Sequence, residues 1–234
     1  MSEHDDITKS FFNSPHGVPV DEVSELCTRV GCTLNPHAVK QLATYLELLM
    51  QWNKVMNLVG AHTWQSAVLR LVADSFFLAT FLDTLPLSPS AGRTGLHTWD
   101  LGAGAGLPGI PLRMVWDKGD YCLVEAREKR AVFLSTVLAR IALPRTKVFR
   151  GRAEAFFSRQ AHGADVIVSR AFLPWEQVLA LVEPVLAPQG MVVFLASDPA
   201  PQELPVGFQV HAQYDYTIAA RPRWFWAFTR SSHV

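Results

Sequence analysis

This 234-residue sequence has few cysteines, no long apolar run and no excess of charge of either sign. No apolar run reaches the ~18 residues of a membrane-spanning helix, so the sequence argues against a membrane protein. The three cysteines are odd in number and lack metal-ligand spacing with any histidine. The N-terminal stretch is acidic and polar, which does not fit a secretory or mitochondrial leader. These absences predict a cytoplasmic protein with reduced thiols, no metal and no membrane contact.

The net charge of zero conceals one basic segment. Residues 127–170 carry ten lysines and arginines against three acids, a local net charge of +7. Such a segment is either the solvated face of helices or a binding surface for an anionic polymer. The sequence leaves both interpretations open at this point.

The first third of the chain has helical periodicity. Apolar residues recur every three or four positions after Pro36, which predicts an amphipathic helix with Asn35 as its N-cap. A second helix is predicted to begin after Thr63. We expect a flexible tail over residues 1–20, followed by a helical N-terminal extension over residues 21–90.

The remainder, residues 91–234, has the pattern of one compact α/β domain. After a turn-rich linker over residues 86–95, short β-prone runs alternate with helical patterns. This alternation predicts a mostly parallel sheet with helices on both faces. The last two β-prone runs, "FQVHAQYDYTI" and "RWFWAFTR", are separated by a short break and predict an antiparallel C-terminal hairpin.

The stretch "TWDLGAGAGLPGIPL" indicates a ligand site. Its residues form the pattern D-x-G-x-G-x-G from Asp100 to Gly106, at the end of the first predicted strand. Glycine adopts positive φ readily and lets a ligand touch the main chain. Because open α/β sheets bind ligands at this end of their strands, the loop is predicted to bind a cofactor.

Two classes of cofactor use a loop of this kind. Gly104, Gly106 and Gly109 satisfy the dinucleotide pattern G-x-G-x-x-G. S-adenosylmethionine is favoured, since the acid lies inside the strand and two prolines remove N–H donors that a pyrophosphate would need. Glu125 ends the second strand, 21 residues after Gly104, and can accept the ribose hydroxyls of either cofactor.

Five segments, "WNKVMNLVG", "LRLVADS", "DLGAGAGLPGIPL", "EKRAVFL" and "VSRAF", occur in order between about residue 36 and residue 197. Together they resemble the family of ribosomal RNA small subunit methyltransferase G. The glycine loop continuing into L-P-G-I-P-L, joined to S-R-A-F, makes the resemblance specific. It implies a Rossmann-like class I methyltransferase that transfers a methyl group from S-adenosyl-L-methionine to N7 of one guanine in 16S rRNA, near the decoding site.

The resemblance also implies which residues hold the cofactor. By position in the family motifs, the loop would touch it through Gly102, Gly104 and Leu107. Ala153 and Glu154, after the third strand, would lie beside its adenine. The residues predicted to bind the cofactor are Asp100, Gly102, Gly104, Gly106, Leu107, Glu125, Ala153, Glu154 and Arg170.

Basic residues are implied on the substrate side. Arg170 would lie at the end of the fourth strand and orient cofactor and substrate, and it could otherwise form a structural pair with an acid such as Glu125 or Asp100. Lys129 and Arg130 suit the phosphates of 16S rRNA, free or within the small ribosomal subunit. Arg223 best matches a basic residue of the last hairpin, with Arg221 as a close competitor.

The sequence departs from the family pattern at two places. The family usually has R-H-x-x-D-S where this chain has Leu71 in place of the histidine. It usually has L-K-G where this chain has Leu195, Ala196 and Ser197, so a lysine is missing. We expect the same cofactor and reaction. The missing lysine removes a positive charge from the expected RNA-binding face, so the resemblance does not specify the affinity for the substrate or its exact target. A non-catalytic RNA-binding module is the alternative if that lysine is needed for turnover.

The chemistry agrees with what the sequence lacks. Guanine N7 has a lone pair and no proton, so its methylation needs orientation rather than a general base. No histidine or carboxylate pair here has the pattern of an acid–base catalyst. Phe172 and Trp175 could hold the base or pack in the core. A methyltransferase acting on a protein or small molecule, and a dinucleotide-dependent oxidoreductase, remain as alternatives.

Overall fold

The computed structural model of the protein describes residues 17–90 and 92–231. The tail predicted over residues 1–20 therefore lies outside the described residues, apart from its last four positions. The last of these, Val20, already begins the first helix.

The N-terminal part is helical, as predicted. The Asn35 side chain accepts a hydrogen bond from the Ala38 N–H at 2.8 Å, and the Thr63 side chain accepts one from the Ser66 N–H at 3.2 Å, so both predicted N-caps are confirmed. A π-helical turn interrupts the second predicted helix, and such turns are frequent at functional sites. The elements are α1 (Val20–Arg29), α2 (Pro36–Met56), α3 (Trp64–Ala67), the π-helical turn (Val68–Val72) and α4 (Ala73–Thr84).

Seven strands form one sheet in the order β3-β2-β1-β4-β5-β7-β6. The first five strands pair in parallel, and β7 pairs antiparallel with both β5 and β6, which confirms the predicted hairpin. The strands are β1 (His97–Leu101), β2 (Asp120–Glu125), β3 (Thr146–Arg150), β4 (Ala164–Ser169), β5 (Leu186–Ala196), β6 (Phe208–Ile218) and β7 (Arg221–Arg230).

Helices cover both faces of the sheet, also as predicted. One apolar layer joins the N-terminal helices to α5 and α6, and a second layer joins α7 and α8 to the opposite face. Within residues 17–90 and 92–231, no helix is both long and apolar enough to cross a membrane. The remaining helices are α5 (Gly109–Val115), α6 (Glu128–Arg140), α7 (Ala153–Phe157) and α8 (Trp175–Val182).

The N-terminal helices pack directly onto the glycine loop. The Tyr45 hydroxyl, fully buried on α2, donates a hydrogen bond of 2.8 Å to the Ala105 carbonyl. Farther along α2, the Trp52 ring lies 5.6 Å from that of Phe133 on α6. The extension therefore supports the loop that follows β1.

The linker before β1 is fixed at the amino-terminal ends of the strands, which lie opposite the glycine loop. Asp165, buried at the start of β4, accepts a hydrogen bond from the His97 backbone N–H at 2.8 Å and one from that of Ser90 at 3.0 Å. Arg93 forms an ion pair of 2.6 Å with the same carboxylate. This cluster lies at the amino-terminal ends of the strands, away from the glycine loop.

Candidate active site

The register of the sheet determines what surrounds the glycine loop. Leu101, the last residue of β1, pairs with Val124 on β2 and with Ser169 on β4. The loop therefore leaves β1 between Glu125 on one side and Arg170 on the other. Strand order reverses at β1, and open α/β sheets bind ligands at this switch point.

The loop backbone is left-handed at three glycines. Gly102, Gly104 and Gly106 have φ of 70°, 59° and 80°, which most L-residues adopt only at a cost. The N–H groups of Gly102 and Ala103 donate to the Val124 carbonyl at 2.9 and 3.1 Å. These bonds fix the start of the loop against β2.

The glycines differ in what lies beside them. A methyl group on Gly104 would approach only the Arg130 guanidinium and the Gly102 carbonyl, each at 3.7 Å, so this side of the loop is open. A methyl group on Gly106 would collide with Ile110 and Leu134 in the core. Gly104 therefore has the geometry of a ligand contact, whereas packing against Ile110 requires glycine at position 106.

Glu125 holds the loop from the end of β2. Its carboxylate is buried, and its two oxygens accept hydrogen bonds from the Gly104 N–H at 2.8 Å and the Arg127 N–H at 2.7 Å. A carboxylate has further lone pairs on both oxygens. The geometry thus places an acid directly beside the open glycine.

Asp100 lies beneath the loop. Its side chain is 1% exposed and accepts a hydrogen bond of 3.2 Å from the Tyr121 hydroxyl and another from the Gly109 backbone. Burial raises the pKa of Asp100 to about 7, despite the opposing effect of these hydrogen bonds. Asp100 anchors the beginning of α5 and does not line the open side of the loop.

The other residues predicted to hold the cofactor lie around the same edge. Leu107 is buried behind the loop. Ala153 and Glu154 begin α7 after β3, with Ala153 buried and Glu154 exposed. The structure therefore brings them to the carboxyl ends of neighbouring strands, where the adenine is predicted.

Arg170 does not pair with Asp100 or Glu125. Its Nη2 forms an ion pair of 3.0 Å with Oδ2 of Asp74, and its Nη1 donates a hydrogen bond of 3.0 Å to the Leu71 carbonyl. Both partners come from the N-terminal helices. The acid partners that the sequence suggested are wrong, because the real partner lies on an element whose docking no local pattern reveals.

A tyrosine from the C-terminal hairpin completes this cluster. The Tyr216 hydroxyl donates a hydrogen bond of 3.0 Å to Oδ1 of Asp74. Burial raises the pKa of Asp74, and the charge of Arg170 and the hydrogen bond from Tyr216 oppose the rise. The cluster joins α4, β4 and β6 beside the glycine loop.

The two candidate aromatic residues separate in the structure. The Phe172 ring lies against Gly102, so that a methyl group there would come within 2.5 Å of the ring. Trp175 instead stacks on Phe228 at 6.1 Å and packs edge-on against Trp226. Both rings are half-buried against the same apolar layer, and Phe172 is the one that also contacts the glycine loop.

The basic segment divides into two groups. At the start of α6, the side chains of Arg127, Lys129 and Arg130 make no hydrogen bond or ion pair with any described residue. Arg150 is paired with Glu128 at 2.6 Å. Arg145 lies before β3, away from the loop, and donates to the Asp117 carbonyl at 2.7 Å. The first group offers unpaired positive charge beside the glycine loop.

Arg223 lies across the hairpin from Tyr216. The two residues are direct partners in the β6–β7 register, and the charge of Arg223 opposes the rise in the Asp74 pKa. Its Nη1 donates a hydrogen bond of 3.1 Å to the Ser197 hydroxyl. Arg223 is thus nearer the site than Arg221, which is exposed at the start of β7.

Among residues 17–90 and 92–231, no three His, Cys, Asp or Glu side chains could hold a metal ion.

Sequence comparison gives a consistent family match. A profile of the family described as rRNA small subunit methyltransferase G matches residues 38–214. The ribosomal RNA small subunit methyltransferase G of Nitratidesulfovibrio vulgaris is 52% identical over 206 residues, covering 88% of this chain and 92% of the relative.

Two solved structures share the fold. An Escherichia coli protein named as a methyltransferase, yhhF, superposes with a TM-score of 0.50 and 15% identity over 67% of this chain and 83% of its own. A variant of MtNAS in complex with S-adenosylmethionine superposes with a TM-score of 0.53 and 13% identity, over 90% of this chain and 77% of its own. The predicted class I methyltransferase fold is confirmed.

Proposed function

Because the chain belongs to the rRNA small subunit methyltransferase G family, we propose that it transfers a methyl group from S-adenosylmethionine to N7 of a guanine in 16S rRNA. The observation that carries the proposal is the open side of the loop at Gly104, with Glu125 and Arg170 on either side of it. We further propose that it acts in the cytoplasm, on 16S rRNA alone or within the small subunit.

The residues around the loop fit S-adenosylmethionine. Left-handed glycines at positions 102 and 104 allow a ligand to touch the backbone, and a side chain at position 104 would enter the open space beside the loop. Glu125 offers free lone pairs for ribose hydroxyls, and Ala153 with Glu154 would flank the adenine. When bound, the sulfonium supplies an already reactive methyl group.

The side chains around the glycine loop are placed to orient the reactants rather than to transfer a proton. Guanine N7 carries a lone pair, so alignment of the nucleophile with the methyl group is the main requirement. Asp74 is held by Arg170 and Tyr216, and Asp100 is buried beneath the loop. Neither carboxylate is therefore placed as a general base, which agrees with attack by N7.

Two features of the surface support an RNA substrate. The unpaired cations Arg127, Lys129 and Arg130 at the start of α6 would contact phosphate, as would Arg223 on the hairpin. The Phe172 ring, partly exposed beside Gly102, offers a face on which an unstacked base could lie. This arrangement favours a nucleic-acid acceptor over a protein or a small molecule.

The test is methyl transfer from labelled S-adenosylmethionine to 16S rRNA, small subunits and total protein in parallel. We expect label in the RNA as 7-methylguanosine. Label in protein would favour the alternative acceptor. Calorimetry with S-adenosylhomocysteine and NAD tests the cofactor, and binding of NAD alone would favour an oxidoreductase.

A matched control for the RNA surface lies at the opposite edge of the sheet. The RNA surface is tested by replacing both Lys129 and Arg130 with Ala, which removes two positive charges. Replacing both Lys118 and Arg145 with Ala, called the amino-edge control, removes the same number of charges at the amino-terminal ends of the strands. Lys118 is exposed and paired with Asp83, and Arg145 contacts the Asp117 carbonyl. We expect the amino-edge control to leave RNA methylation unchanged.

A further inference from the structure

We infer that Asp74 is a positioning residue for methyl transfer, which holds the Arg170 guanidinium beside the glycine loop while Tyr216 fixes the carboxylate. The inference rests on the proposed function, because it assigns a role within that reaction. It concerns an acid on the N-terminal helices that lies within "LRLVADS", one of the segments that carry the family resemblance.

Each oxygen of Asp74 has a separate partner. Oδ2 lies 3.0 Å from Nη2 of Arg170, and Oδ1 accepts the Tyr216 hydroxyl at 3.0 Å. The residue is 3% exposed, so an unpaired carboxylate there would be costly. With both oxygens engaged, the carboxylate has one orientation, and the charge it presents to Arg170 is fixed in place.

The π-helical turn supplies the second contact. Leu71 lies within this turn, Asp74 follows it in α4, and both contact the same guanidinium. Because the guanidinium is planar and rigid, fixing two of its nitrogens fixes its plane. Arg170 makes no other hydrogen bond to a described residue, so further N–H donors are available to a ligand.

Three observations favour a functional role over a purely structural clamp. Arg170 is 20% exposed rather than fully buried. The next residue, Ala171, has a φ of 50°, and strained backbone of this kind occurs often at ligand sites. The Arg170 charge also opposes the rise in the pKa of Asp100, which lies beneath the loop.

The kinetic test compares Asp74→Asn with two other variants. Asp74→Asn keeps the shape and removes the charge, and we expect kcat to fall roughly 10- to 100-fold through misorientation of Arg170. Tyr216→Phe should lower kcat roughly 2- to 10-fold. Asp165→Asn disrupts a buried ion pair with Arg93 at the opposite edge, and should reduce thermal stability without reducing kcat.

A double variant separates positioning from stability. If Asp74 acts through Arg170, then Asp74→Asn should cost little further rate in an Arg170→Lys background. Rate losses that multiply in the double variant would overturn the inference. Full kcat in a folded Asp74→Asn enzyme would overturn it as well.

A spectroscopic readout keeps the inference independent of the proposed substrate. Side-chain ¹⁵N signals of Arg170 should show slow rotation of the guanidinium in the ligand-free wild type and fast rotation in Asp74→Asn or Tyr216→Phe. Equal rotation in all three would refute the positioning role. If the wild type methylates no rRNA, the proposed function fails, while these signals still decide whether Asp74 orders Arg170.

Discussion

Replacing Asp100 with Asn should make the free energy of unfolding of the protein less sensitive to pH. Asp100 is buried under the glycine loop, and burial raises its pKa to about 7 from an ordinary 3.8. Asparagine has a similar shape and can still accept hydrogen bonds, but it cannot ionise. The difference between the two proteins therefore isolates the cost of placing a charge at this position.

The sign and the size of the effect follow from the two pKa values. Between pH 3.8 and about 7 the folded protein binds more protons at Asp100 than the unfolded chain does. The contribution of Asp100 to the free energy of unfolding is therefore largest below this window and falls by ~1.4 kcal/mol per pH unit within it. From roughly pH 5 to pH 8, Asp100 should remove about 2.5 kcal/mol of stability.

The assay is urea unfolding of ligand-free wild type and Asp100→Asn across this pH range. The variant should gain about 2.5 kcal/mol relative to wild type, or ~5–10 °C in Tm. Tyr121→Phe is the control, because it removes a hydrogen bond to Asp100 but keeps the acid, so its pH dependence should persist. Parallel pH profiles for wild type and Asp100→Asn would refute the argument.

Three further predictions concern the site. Gly104→Val should abolish S-adenosylmethionine binding in a folded protein, because its side chain would fill the open side of the loop; calorimetry showing normal affinity would refute the loop assignment. Replacing Lys129 and Arg130 with Ala should lower the salt dependence of RNA binding by about two counterions. An unchanged slope, or an equal effect of the amino-edge control, would show a merely solvated surface. Arg170→Lys keeps the charge but loses the planar fork, so turnover should fall far more than Tm, and a full methylation rate would exclude the residue from the mechanism.

Local pattern was sufficient to predict most of the fold. The N-caps at Asn35 and Thr63 and the antiparallel hairpin depend on short stretches of chain, and all are present. The glycine loop was predictable for the same reason, since positive φ is a property of individual residues. The surroundings of each glycine could not be predicted in this way: a side chain at position 106 would collide with Ile110, whereas position 104 is open.

Long-range contacts at the site could not be predicted. The hydrogen bond from Arg170 to Leu71 spans 99 positions, and the bond from Tyr216 to Asp74 spans 142. Both depend on how the N-terminal helices dock onto the sheet, which the amphipathic pattern alone does not specify. The buried bond between Tyr45 and the glycine loop was missed for the same reason.

The most direct test of the account is a comparison of 16S rRNA from cells with and without this gene. The RNA is digested and its 7-methylguanosine is quantified and mapped by mass spectrometry. We expect one 7-methylguanosine that is lost with the gene and restored by the wild-type protein but not by Gly104→Val. An unchanged 7-methylguanosine content after loss of the gene would contradict the account.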